Sequence, residues 1–290
     1  MKIGASTYSL SKAIAAGTLD LMGTFDWLAD NGADHIEIVP LRDVFSFADT
    51  PELADTLAAK AKSRGLDISC YTFGASFIDR TPEEFDAEIA RVKGEIDIAA
   101  RLGSPNVRHD VAFRPAGQNS DEQFEADFPL FVDACGQLAD YAATQDITTM
   151  IENHGLHVQG AARVLRIHHA VARDNFKLLI DTGNFIAIEL ENTLNATKQC
   201  APFAGMVHVK DHHIRRTPEE PADAWRQRAD NFYTQNAIAN EGDIDIAQAI
   251  RYLADVGYDG YLSLEYEGTE DPCFANRKGL DNLRTILQSL

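Results

Sequence analysis

The sequence predicts an α/β chain of the (β/α)8 barrel class, and three observations carry that prediction. Eight short apolar runs recur along the chain, taking Ile3, Ile36, Ile68, Val107, Thr149, Leu179, Val207 and Ser263 as reference points, at steps of 33, 32, 39, 42, 30, 28 and 56 residues. Most of these steps are close to the roughly 30 residues of a strand-helix unit. Between the runs lie segments with helical periodicity, and the last four runs each end on a residue able to hold a metal ion.

The first four strands are expected at Lys2–Ser6, His35–Val39, Asp67–Tyr71 and Asn106–His109, and the last four end at Glu152, Asp181, His208 and Glu265. Short apolar runs of this kind read as buried parallel strands. Helices are expected at Leu19–Asn31, Pro51–Arg64, Pro82–Leu102, Asp121–Thr144 and Ile244–Val256. Thr81-Pro82 supplies a start signal, while Gly32, Gly65, Gly103 and Gly257 supply stops. No Pro/Ser-rich linker interrupts the pattern, so residues 1–290 read as a single domain. The step of 56 residues leaves a long polar loop, 213–243, after strand seven, which in a barrel would sit over the site or take part in homo-oligomer contacts.

With 26 Lys+Arg against 45 Asp+Glu, the net charge of −19 repels phosphate backbones and anionic membranes, so no nucleic-acid or membrane partner is expected. Cys70, Cys135, Cys200 and Cys273 lack C-x-x-C spacing and suggest reduced thiols in a cytoplasmic protein. Neither a signal peptide nor an apolar stretch long enough to span a membrane is evident.

Glu152, Asp181, His208 and Glu265 are separated by 29, 27 and 57 residues, which rules out one helix carrying them and places one on each of strands five to eight. In a closed barrel adjacent strands lie about 4.8 Å apart, so these ends converge. Three carboxylates and one imidazole form a mixed oxygen and nitrogen cage for one divalent cation, Mn(II) first, with Mg(II), Co(II) and Zn(II) as alternatives. Taken singly, each residue has a plainer role: Asp181 could shape the turn at Thr182-Gly183-Asn184, and Glu152 or Glu265 could pair with a lysine.

The segments Ile151–Gly155, Leu179–Asn184, Val207–Asp211, Glu241–Asp245 and Gly257–Glu265 resemble the signature segments of the xylose isomerase-like TIM-barrel superfamily. Its members include sugar isomerases, ketose 3-epimerases, hydroxypyruvate isomerase, inosose dehydratase and endonuclease IV. The resemblance implies that Glu152, Asp181, His208 and Glu265 hold the metal. It also implies that Glu152 and Glu265 act as acid and base on opposite faces of a sugar passing through an enediolate. Endonuclease IV has a richer histidine set, whereas this chain has Asn184 at one of those positions.

Secondary candidates for substrate contact are Lys210 and His154, each two residues beyond a ligand candidate and so on the same strand face. Asn184, His109 and Arg215 complete that set, with Tyr8, Glu37 and Phe73 as walls near the ends of strands one to three. The expected function is a metal-dependent isomerase or epimerase of a ketose or related hydroxy-carbonyl sugar or polyol. A dehydratase of the inosose or dehydroshikimate type is the alternative, and a non-catalytic sugar-binding protein ranks last. The absence of a Gly-rich phosphate loop at strands seven and eight leans against a phosphorylated substrate, although the arginines between 215 and 228 are able to bind one.

Overall fold

The computed structural model describes residues 1–42, 44–186, 192–219, 222–228 and 232–290. Eight parallel strands close on themselves: β1 (Lys2–Ser6), β2 (His35–Ile38), β3 (Asp67–Phe73), β4 (Asn106–His109), β5 (Thr148–Glu152), β6 (Phe176–Asp181), β7 (Ala204–Val209) and β11 (Tyr261–Leu264). Closure runs through β1 and β11, from Lys2 opposite Tyr261 to Ala5 opposite Leu264. The barrel class is therefore the expected one, and every one of the eight runs is a strand.

Alternation along each strand sorts the side chains into two layers. Ile36, Val107, Ile151, Ile180, Val207 and Leu262 join the large core between barrel and helices. Cys70, Met150, Leu179 and Met206 form a separate small cluster that floors the barrel interior. Two residues above that floor, on the same face of their strands, come Thr72, Glu152, Asp181 and His208.

The barrel is wrapped by α1 (Ser11–Ala15), α2 (Leu21–Asp30), α3 (Leu53–Arg64), α4 (Pro82–Leu102), α5 (Asp121–Ala143), α6 (Ala161–Val171), α7 (Thr193–Cys200), α8 (Ile246–Asp255) and α9 (Pro272–Gln288). The start of α4 is a reciprocal cap: Thr81 Oγ1 accepts from Glu84 N–H, and Glu84 returns a carboxylate to Thr81 N–H at 2.8 Å, with Pro82 next. Its end is Gly103 at φ 69°, a left-handed conformation that carries no steric penalty only in glycine. Burial of the apolar stripe, such as Phe25 and Leu28 on α2, contributes about 1.5–3 kcal/mol per side chain.

The segment after β7 departs from the expected loop. It forms a three-stranded antiparallel sheet, β8 (Asp211–Arg215), β9 (Arg226–Gln227) and β10 (Tyr233–Ala237), in the order β8-β10-β9. A single residue, Lys210, separates β7 from β8. Asp211 ties this cap down, because its carboxylate accepts from His212 N–H at 2.7 Å, Gly242 N–H at 2.8 Å and Ile244 N–H at 3.2 Å. Among the described residues no helix is long and apolar enough to cross a membrane.

Candidate metal centre

Glu152 ends β5, Asp181 ends β6, His208 lies one residue before the end of β7, and Glu265 follows β11 directly. Asp181 and Ser263 both pair with His208, so the register lifts Glu265 one inward-facing step above it. Each of the four offers one ligand atom, and those atoms lie within 4.8 Å of one another. The carboxyl ends of parallel strands are where barrels of this class assemble their chemistry.

Asp181 divides its two oxygens between two tasks. Oδ1 accepts from Gly183 N–H at 2.7 Å and Asn184 N–H at 2.9 Å, closing the turn that the sequence suggested. Oδ2 is buried and makes no hydrogen bond. Gly183 is required by close approach: a Cβ there would stand 2.7 Å from Lys210 Cγ. Asn153 fixes the neighbouring strand end, donating to Asp181 O at 2.9 Å and accepting from Asp181 N–H at 2.8 Å.

His208 is held from below by Glu37 on β2, to whose carboxylate Nε2 donates at 3.0 Å. Thr72 at 2.6 Å and Ser263 at 2.7 Å donate to the same carboxylate. Nδ1 therefore points into the cluster, 3.7 Å from Glu152 Oε1 and 3.4 Å from Glu265 Oε2, with no hydrogen-bond partner. A carboxylate on the far ring nitrogen is the arrangement that orients a metal-binding imidazole.

Each glutamate stands beside a cation. Arg108 Nη2 lies 2.7 Å from Glu152 Oε2 and 2.8 Å from Asp110 Oδ1, while Asn184 Nδ2 donates to Glu152 Oε1 at 2.9 Å. Lys210 Nζ lies 2.7 Å from Glu265 Oε2, 3.2 Å from Asp181 Oδ2 and 3.0 Å from Glu267 Oε1. The contacts to Asp181 and Glu265 are ion pairs at angles that make no hydrogen bond, because both oxygens remain without a hydrogen-bond partner. His154 borders the same space and donates through Nδ1 to Asp110 Oδ1 at 2.9 Å.

Burial pushes every carboxyl here upward, and the cations decide where each one ends. Burial raises the Glu152 and Glu265 carboxyls, but Arg108 for the first and Lys210 for the second outweigh it, holding both low with help from His208. For Asp181 burial wins, reinforced by the charges of Glu265 and Glu152, and its carboxyl rises to about 8 despite Lys210. His208 is shifted well upward because Glu37, Glu265 and Glu152 overcome its burial. Three atoms of these residues, Asp181 Oδ2, His208 Nδ1 and Glu265 Oε2, are buried without a hydrogen bond. A buried polar atom left unsatisfied costs about 1–3 kcal/mol; Lys210 compensates the two oxygens in part through its ion pairs, and one cation facing all three atoms would satisfy them together. The donor set fits a divalent ion.

A cleft of about 570 Å³ lies beside the cluster, bordered by Tyr8, His154, Asn184 and Lys210, with Arg226, Arg228 and Glu267 on its cap side. Two expected contact residues lie elsewhere. His109 faces the helices, donating through Nδ1 to Asp110 O at 2.9 Å and packing edge-on against Phe77, because alternation turns Arg108 inward and His109 outward. Arg215 pairs with Glu219 at 2.8 Å and Asp243 at 2.7 Å on a separate surface hollow with Ile214 and Phe232. Phe73, expected as a wall, is buried in the core outside the barrel. Arg108 and Asp110 escaped the sequence reading; strand alternation on β4, which sets Arg108 on the opposite face from His109, was the available signal for Arg108. Glu37 was expected as a wall and is instead the support of His208.

A family model described as xylose isomerase-like TIM barrel matches residues 25–286. Among solved structures, the D-psicose 3-epimerase of Clostridium cellulolyticum H10 with D-tagatose is 16% identical at a TM-score of 0.74, covering 99% of both chains. The 3-keto-D-glucoside 4-epimerase of E. coli is 18% identical at a TM-score of 0.72, covering 98% of this chain and 99% of that one. The IOLI protein with a binding zinc atom is 18% identical at a TM-score of 0.74, covering 100% and 97%. At such identities these likenesses speak for the fold alone. No curated protein matches the chain by sequence. The match over residues 25–286, on a closed eight-stranded parallel barrel, makes this chain a member of the xylose isomerase-like TIM-barrel family.

Proposed function

We propose that the chain is a divalent-metal-dependent isomerase or epimerase that moves a proton next to the carbonyl of a ketose or related hydroxy-carbonyl polyol. The observation that carries this reading is the convergence of one ligand atom each from Glu152, Asp181, His208 and Glu265 within 4.8 Å, with Asp181 Oδ2, His208 Nδ1 and Glu265 Oε2 buried and lacking hydrogen bonds. Those four residues would hold the ion, with Mn(II) favoured over Mg(II), Co(II) and Zn(II). When bound, the cation supplies Lewis acidity that lowers the cost of negative charge on a substrate oxygen.

The rest falls to the protein's own side chains. Glu265 Oε2 and Glu152 Oε1 lie 3.4 and 3.7 Å from His208 Nδ1, so both carboxyl groups reach the space over the cluster: the ionised one takes a proton from the substrate carbon, and the other, protonated from solvent before the step, returns one to it. Arg108 and Lys210 favour the ionised form of each carboxyl group in a buried setting and fix their orientation. Asn184 couples them, donating to Glu152 Oε1 and accepting from Lys210 Nζ at 3.4 Å. His154, aligned by Asp110, gives the cleft wall a polar contact for a hydroxyl. The partner is accordingly a small carbohydrate.

One observation favours a second reading. Lys210 Nζ borders the cleft 2.7 Å from Glu265 Oε2, so the same opening proton abstraction has a nearby donor for a departing β-hydroxyl, as a dehydratase requires. Incubating the manganese-loaded enzyme with keto-sugars and keto-polyols in deuterated water separates the two. An isomerase or epimerase adds deuterium without loss of mass, whereas a dehydratase product is lighter by one water. Glu152→Gln and Glu265→Gln should each lower exchange by about 10²- to 10⁴-fold. Full exchange in both variants would sink the assignment.

A further inference from the structure

The cap carries two guanidinium groups that the proton-transfer reading leaves without a task. Arg226 and Arg228 are alternate residues at and just beyond the edge strand β9, so their side chains share one face, and both border the cleft. Arg226 is largely exposed, and the one carboxylate it pairs with among the described residues, Glu267 Oε2, is 3.6 Å away. That same carboxyl group already serves Lys210 through Oε1 at 3.0 Å.

Arg228 is half-buried, donates from Nε to Thr234 Oγ1 at 2.8 Å, and has no ion pair among the described residues. Burial, then the neighbouring Arg226, makes its charge costly, and among the described residues Glu267 favours it. Asp223, on the same wall, is exposed and forms no ion pair with either arginine among the described residues. In a protein of net charge −19, the cap thus places two guanidinium groups close together on the wall of the cleft. Planar, always-charged guanidinium forks match oxyanions in two-point contacts, which sets this wall apart from the neutral polar groups that suffice for hydroxyls.

We propose that the substrate carries an anionic oxyacid group, a carboxylate or a phosphate ester, received by Arg226 and Arg228 at the cap end of the cleft while its hydroxy-carbonyl end lies over the four-residue cluster. This deepens the function proposed above and rests on it for the reacting end only. The two ends sit on different parts of the fold: the reacting end on barrel strands, the anion on the cap.

The test uses the metal-loaded full chain and three probe compounds: a neutral ketohexose, a keto-hexuronate and a keto-sugar phosphate. Solvent deuterium uptake gives kcat/KM for each. At least one anionic probe should exceed the neutral one by 10-fold or more, and which of the two leads identifies the group. Arg228→Met and Arg226→Met should each lower kcat/KM for the leading anion by about 10- to 100-fold, chiefly through KM, and narrow its lead over the neutral probe. Arg228→Lys should recover part of the loss, because charge returns without the fork. A neutral probe that matches both anions, or variants that reduce all three probes equally, would overturn the proposal.

Binding of inorganic phosphate and of malonate, measured by calorimetry, tests the anion site apart from turnover. Binding that Arg228→Met weakens, with exchange absent from every probe, would leave the anion site standing and remove the proton-transfer reading. No binding of either anion by the wild-type chain, together with no preference in exchange, would remove the anion site.

Discussion

Strands β5, β6, β7 and β11 present the four converging ligand atoms, whereas β2, β3 and β4 present Glu37, Thr72 and Arg108, which touch those ligands or their supports without joining the cluster. The first set supplies donors and the second supplies orientation and charge balance. Glu37 fixes which nitrogen of His208 faces inward, and Arg108 fixes one oxygen of Glu152. A binding site built this way depends on closure of the barrel, since the supporting groups come from strands far away in sequence.

Removing a donor should have the largest effect. Asp181→Ala and His208→Ala are each expected to abolish stoichiometric metal by elemental analysis and to lower turnover by about 10³-fold or more, because the ion's electrostatic contribution goes with it. Removing a support should do less: Glu37→Gln keeps the shape but withdraws the charge behind His208, and metal affinity should fall by about 10- to 100-fold. A Glu37→Gln affinity equal to wild type would show that the ligand half acts alone.

Metal uptake itself should be proton-linked. In the ion-free protein the raised Asp181 carboxyl and the raised His208 imidazole hold protons at pH 7 that ligation displaces. Calorimetry in buffers of different ionisation heat should report release of about one to two protons per ion. No buffer dependence would mean the site is deprotonated beforehand.

A separate effect concerns stability. His35 and His109, fully buried on β2 and β4, are pushed down to about 4, mainly by burial. Between pH 6.5 and 4 the unfolded chain binds more protons at these rings than the folded one, so stability falls as pH falls, by at most about 1.4 kcal/mol per pH unit for each. A denaturant midpoint that holds steady from pH 6.5 to 4.5 would contradict this. His109→Leu should flatten part of the slope.

The two halves also differed in how much of them could be read from the sequence. Strand spacing and helix punctuation were enough for the barrel, since every predicted run is a strand and Gly103 ends α4 as expected. The donor half was readable because chemistry and position coincide there: each run ends on a carboxylate or imidazole. The supporting half was not, because Glu37 gains its role only when β2 closes against β7 across the interior. On β4, attention to residue type favoured His109, but alternation faces Arg108 inward. Arg215 misled for a different reason: the polar stretch folds into its own small sheet and turns that side chain toward Glu219 and Asp243, away from the cleft.

The one-residue joint between β7 and β8 has a mechanical consequence. Lys210 is that joint, and its ammonium group reaches Asp181, Glu265 and Glu267 at once. A joint of one residue leaves little slack at this end of the cap, so a tilt of the small sheet would reach this residue first. The ammonium would shift against the carboxylates, and occupancy at the rim would be felt at the reacting end without any intervening linkage.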